Sequence, residues 1–131
     1  MVMTEKKLTL RLLEGNYSVC RLTLGGEFPK WALGSDFYSI TKTSEELSVV
    51  CAQQDIPEDV LCERDWRILK VEGPLDFSLV GILFSVSMVL AENDISIFAI
   101  STYDTDYILV KDKDAKEAVR ALRENHYNVI A

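Results

Sequence analysis

Residues 100–110 read ISTYDTDYILV, and residues 40–50 read ITKTSEELSVV. Laid over one another without a gap, Ile100 falls on Ile40, Ser101 on Thr41, Leu109 on Val49 and Val110 on Val50. In each, a polar stretch able to turn separates two apolar runs, which reads as a β-hairpin. Upstream of each lies another matching pair: LTLRLLEG at 8–15 and ILKVEG at 68–73, both ending on Glu-Gly. A strand followed later by a hairpin is thus written twice in one short chain.

The second copy is the clearer one. WRILKVEG predicts a strand that runs into a turn at Gly73-Pro74. Asp76 or Ser78 can cap the helix that follows by accepting from its free N–H groups. That helix carries Leu79, Ile82, Leu83, Val86 and Leu90 on one side, with Val80, Phe84 and Met88 over much of the other. A helix apolar nearly all round needs cover on more than one side. Asn93-Asp94 ends it, ISIFAIS starts a strand, and YILV follows the turn at 103–106.

Asp114 and Glu117 then have capping-box spacing. Ala115, Ala118, Val119, Ala121 and Leu122 form a narrow apolar stripe, while Lys116, Arg120, Arg123 and Glu124 face water. With YNVI as a last strand, the order is β-α-β-β-α-β, the split βαβ arrangement of ferredoxin-like folds.

The first copy is worn. CRLTLGGEFPKWALGSD occupies the place of the apolar helix, and its Gly25-Gly26 and Pro29 argue against a full helix. IPEDVLCERD, residues 56–65, reads as one short helix before Trp66. The expected fold is therefore α+β: two tandem ferredoxin-like units, residues 1–65 with incomplete helices and residues 66–131 complete. Their antiparallel sheets would pack under helices.

Composition narrows the function. Net charge is −7 with a single histidine, and the basic residues are scattered among acids. Tracking a phosphate backbone needs clustered Lys and Arg, so nucleic acid is not expected as a partner, nor is an anionic membrane. Residues 78–91 carry no charge but are too few to span a bilayer. MVMTEKKLTLRLL lacks the features of a signal peptide, so a cytoplasmic location is expected. Cys20, Cys51 and Cys62 have no CxxC spacing and read as small hydrophobes; together with His126 they match no metal-ligand pattern. His126 has no visible nucleophile beside it, Gly25-Gly26 lacks a phosphate-loop context, and Asp104, Asp106 and Glu45-Glu46 are ordinary turn residues. Neither a cofactor nor an enzymatic activity is expected.

The strand order, the EGPLDFSLVGIL entry to the first helix and the ISTYDTDYILV hairpin resemble the ACT domain, a small regulatory unit that binds amino acids. The pairing of two units is similar to the paired ACT units of aspartate kinases and of CASTOR-type arginine sensors, in which a polar hairpin recurs in each unit. No kinase domain is expected beside the pair.

The resemblance implies a non-catalytic regulatory protein. Its ligand, an amino acid or related metabolite, would sit at an interface between ACT units. The implied site comprises Leu75, Asp76, Phe77, Ser78, Leu79, Val80 and Gly81 at the helix entry, and Phe98, Ala99, Ile100, Ser101 and Thr102 on the strand beyond. The residue chemistry suits it. A helix N-terminus favours a carboxylate, strand carbonyls can accept from an ammonium, and Asp76, Ser101, Thr102 and Asp106 can read a polar side chain. A homo-oligomer, most simply a dimer, is expected from the two-sided apolar helix. The alternative is a ligand-free oligomerisation or adaptor module acting through protein contacts.

Overall fold

The computed structural model describes residues 8–73 and 81–131. They form a mixed α+β structure that divides into two compact units, residues 15–66 and residues 67–131 joined by the N-terminal stretch up to Glu14.

The unit of residues 15–66 is built almost wholly of strands: β2 (Tyr17–Leu22), β3 (Ser39–Lys42), β4 (Leu47–Ala52) and the first half of β5 (Leu61–Val71). Their order is β3-β4-β2-β5, and every neighbouring pair is antiparallel. Numbered within the unit this is 4-1-3-2, the order a ferredoxin-like βαββαβ chain produces, but both helices are reduced to single 3-10 turns at Lys30–Gly34 and Gln53–Asp55. Pro29 immediately precedes the first, and Gly25 turns the chain with φ +81°, a conformation that residues bearing a Cβ rarely adopt. The reading of 56–65 as a helix is corrected. IPEDV turns, and from Leu61 the chain is strand, because Cys62 and Glu63 pair with Cys20 and Val19 of β2. Tertiary pairing here overrides local propensity. A bulge lies at Asp65, whose φ is +68°. Gln53 clamps it from both sides, accepting from the Asp65 N–H at 2.7 Å and donating to its carboxylate at 3.0 Å.

The other unit holds residues 67–71 of β5, then α1 (Ile82–Glu92), β6 (Ile97–Ser101), β7 (Asp106–Lys111), α2 (Ala115–Glu124) and β8 (Asn128–Ile130). This is the expected βαββαβ order with one addition. β1 (Thr9–Leu12) lies between β5 and β8, antiparallel to the first with Leu10 opposite Val71, and parallel to the second with Leu10 opposite Val129. The sheet runs β6-β7-β5-β1-β8. LTLRLLEG was expected to belong with residues 16–65; its strand instead completes this sheet. Leu10, Leu69, Val71, Ile108 and Val110 from the strands meet Val86, Val89 and Leu90 of α1 and Ala118, Val119 and Leu122 of α2 in a continuous core. Each of these Val, Leu and Ile side chains contributes about 1.5–3 kcal/mol by leaving water.

The capping box does not form. The 3-10 turn Asp112–Asp114 runs straight into α2, so Asp114 is not in the extended conformation of a capping residue, and its side chain makes no capping hydrogen bond. The Glu117 carboxylate is held instead by Arg120. The C-terminal end of α2 is closed by the Asn125 side chain donating to Ala121 O at 2.9 Å. His126 follows in the left-handed region at φ +74°.

The two hairpins are alike, with a shift. Thr43 N–H donates to Glu46 O at 2.9 Å across one turn, and Thr102 N–H donates to Thr105 O at 2.8 Å across the other. Thr43 is thus the counterpart of Thr102, an offset of 59 rather than 60. Buried Val49-Val50-Cys51 then matches buried Ile108-Leu109-Val110. A slip of one residue would exchange the faces of each strand.

Candidate functional site

Of the residues expected to bind a ligand, Leu75, Asp76, Phe77, Ser78, Leu79 and Val80 lie outside the described residues. Gly81 stands at the start of α1 with φ +76°, and its carbonyl accepts the first intrahelical bond, from Ser85 N–H at 2.8 Å. Among the described residues, apart from its chain neighbours, no atom lies within 4 Å of where a Cβ would project. Glycine is needed there for backbone conformation rather than for space.

Phe98, Ala99, Ile100 and Ser101 lie on β6, and Thr102 opens the turn after it. β6 pairs with β7 from Ile97–Val110 to Ser101–Asp106 and with no other strand among the described residues. It is an edge strand, so its outer row of backbone N–H and C=O groups is presented sideways. Phe98 and Ile100 are half-buried; Ala99, Ser101 and Thr102 are exposed.

The turn is internally satisfied. The Ser101 hydroxyl donates to the Asp106 carboxylate. The Thr102 hydroxyl donates to Thr105 O at 3.1 Å and accepts from Thr105 N–H at 3.3 Å. Thr105, only 4% exposed, donates its own hydroxyl to Val71 O on β5. Nothing in the sequence distinguishes Thr105 from a solvated turn residue, yet it fastens this hairpin to the sheet. Ser101 and Asp106, read as available to a ligand, already engage one another.

α1 buries Val86, Val89 and Leu90 but leaves Phe84 67% and Met88 46% exposed, one helical turn apart. Phe84 and Met88 of its expected second apolar face are therefore exposed, while Val80 lies outside the described residues.

In residues 15–66 the cysteines converge despite their irregular spacing. β2 places Cys20 directly opposite Cys62 on β5 and Ser18 opposite Cys51 on β4. A hydrogen bond between the Cys20 and Cys51 thiols raises the pKa of Cys20, burial raising it further, and lowers that of Cys51. Among the described residues no group of His, Cys, Asp or Glu could hold a metal ion. No helix among them is long and apolar enough to cross a membrane.

The sequence profile of the ACT domain matches residues 61–124, and a second profile, of an N-terminal domain, matches residues 15–59. The cytosolic arginine sensor for mTORC1 subunit 1 of Bos taurus is 30% identical over 97 residues, which are 66% of this chain and 30% of the sensor. The chain thus spans about a third of the length of that relative. A crystal structure of a protein from Agrobacterium tumefaciens superposes with a TM-score of 0.90 at 36% identity, covering 96% of this chain and 94% of the other. The regulatory subunit of aspartate kinase from Thermus thermophilus superposes with a TM-score of 0.62 at 12% identity over 91% and 98% of the two chains, a likeness of fold.

Proposed function

Since the chain belongs to the ACT-domain proteins, we propose that it is a non-catalytic regulatory module that binds an amino acid or a related small metabolite. The ligand lies where the edge strand β6 and the N-terminal end of α1 meet an ACT unit of a second copy. The observation that carries this reading is the coincidence, in one unit, of an edge strand with the exposed apolar side chains Phe84 and Met88 of α1. An edge strand in water invites strand pairing, and an exposed apolar helix face gains from cover. Joining two copies edge to edge would satisfy both. The same step would bring Gly81 and Phe98–Thr102 of one copy against the other, and the ligand would lie in the seam so formed.

Within that seam the helix N-terminus offers N–H groups and a positive dipole end to a carboxylate. The outer carbonyls of β6 offer acceptors to an ammonium. Asp76 and Ser78 would contribute from the segment leading into α1. The bovine relative is by name an arginine sensor, which supports testing arginine first. Work in the cytosol, the compartment named for that relative, fits the same reading.

A titration of the chain with each of the twenty amino acids, followed by thermal shift and calorimetry, tests this. Saturable binding of one or a few, with stabilisation, is expected; no response to any of them would end the reading. A second reading, an oligomerisation or adaptor module without a ligand, draws on the Ser101–Asp106 pair, which already occupies two of the polar groups a ligand would need. Self-association with no amino acid bound would favour it.

A further inference from the structure

We propose that the unit containing α2 carries a second small-molecule site, independent of the ACT interface, for a carboxylate borne on a short hydrocarbon body. The site is a cleft of about 570 Å³ between α2 and the strands β1 and β5. Its apolar wall is Leu12, Ala115 and Val119; its polar rim is Arg67, Lys116, Arg120 and Arg123, with Glu124 the one acidic side chain, and Ala131 completes the lining. Four cationic side chains line one cleft in a chain of net charge −7.

Not all four are neutralised. Arg120 is held between Glu117 and Glu124. Lys116 has no ion pair among the described residues, and Arg123 donates to a neutral acceptor, Val129 O, at 2.8 Å. Arg67 is the inner cation, its side chain 21% exposed. One terminal nitrogen donates to Leu13 O at 3.1 Å and the other reaches Asp112 at 3.5 Å, while its Nε is buried with no acceptor. The Nε is sealed from the cleft, so an anion there would meet Arg67 through the exposed part of its guanidinium, as a charge-assisted contact.

The character of the lining also excludes. A free amino acid brings an ammonium into a field of cations, whereas an acid lacking that group brings only the favourable charge. The wall of Leu12, Ala115 and Val119 gains from covering a hydrocarbon chain, which inorganic phosphate does not supply. Hence the class is an aliphatic or 2-oxo acid rather than a zwitterion or a bare anion.

Backbone NMR with hexanoate, hexylamine and inorganic phosphate tests this on the full chain. Hexanoate is expected to shift the amides of residues 12, 67, 115–116, 119–120 and 123–124 saturably, and neither hexylamine nor phosphate to match it. Lys116→Glu, at an exposed helix position, should keep the folded spectrum and weaken hexanoate by roughly tenfold or more through loss of a charge-assisted contact. No shift with hexanoate, equal shifts with hexylamine or phosphate, or unchanged affinity in Lys116→Glu would each overturn the proposal. Because the probe lacks an ammonium and the perturbed residues are not those of the β6 edge, this outcome is independent of the amino-acid titration.

Discussion

Thr105 gives its hydroxyl proton to the main-chain carbonyl of Val71, 2.5 Å away, tying the β6–β7 turn to the strand that opens the unit. Val71 is fully buried, so its carbonyl has little recourse to water. Thr105→Val keeps the shape and removes the donor, which should cost about 1–3 kcal/mol through an unsatisfied buried acceptor. Urea denaturation of the variant should show a lower midpoint with an unchanged slope; an unmoved midpoint would mean the bond contributes nothing net.

Gly81 makes a complementary case, because its cost is conformational alone. With φ +76°, Gly81→Ala meets no atom of the described residues beyond its chain neighbours, yet must hold a left-handed backbone. A loss of about 1–2 kcal/mol is expected from that strain. Gly34→Ala, also in open space but without positive φ, should be neutral or stabilise by up to about 1 kcal/mol by restricting the unfolded chain. Equal thermal midpoints for the two variants would contradict the backbone account.

Much of this organisation can be read from residues alone, and the failures have physical causes. The alternation in ILKV and ISIFAIS and the small-residue stripe of α2 each report a single element burying one face, and all three form as expected. Residues 56–65 mislead because their partner, β2, is some forty positions away, and strand pairing at that distance leaves no local mark. The cysteine convergence is hidden for the same reason: register, not spacing, sets Cys20 against Cys62. The hairpin match fails by one residue because identity of Ile100 with Ile40 is a weaker constraint than the threonine that closes each turn. Asp76 and its neighbours were placed by family likeness and helix-entry chemistry, and lie outside the described residues.

Thiol accessibility follows from the same register. Cys20 and Cys51 are 1% and 0% exposed, whereas Cys62 is only half-buried. Burial and the bond to Cys51 also keep Cys20 protonated, and a protonated thiol is a poor nucleophile. Brief iodoacetamide treatment of the folded chain should modify Cys62 first, with Cys20 and Cys51 reacting on denaturant addition. Peptide mapping showing Cys20 modified as fast as Cys62 would be incompatible with this packing.

Alkaline stability offers another reading of the core of residues 15–66. Tyr17 is 8% exposed and meets Phe37 edge-on at 6.1 Å. Burial first, and the nearby Asp36 carboxylate second, raise its pKa above the ordinary value of 10.0. The folded chain therefore keeps the phenol proton where the unfolded chain releases it. Stability from this source is complete below pH 10 and falls as pH rises beyond it, because ionisation then favours the unfolded state. Tyr17→Phe should flatten that decline in a series of thermal midpoints; an identical slope in both proteins would place the alkaline loss elsewhere.

Phe84 separates association from folding. It is 67% exposed on α1, beyond the core contacts of Val86, Val89 and Leu90. Phe84→Asp should shift folding stability by no more than about 0.5 kcal/mol, the usual range for surface positions. At a dimer face the same change would bury a carboxylate against apolar groups, which is strongly unfavourable without a partner. Sedimentation at increasing concentration should then show the parent chain associating while Phe84→Asp stays monomeric at equal thermal stability. Two equally associated proteins would remove α1 from the interface, and with it the edge-to-edge arrangement on which the proposed amino-acid site rests.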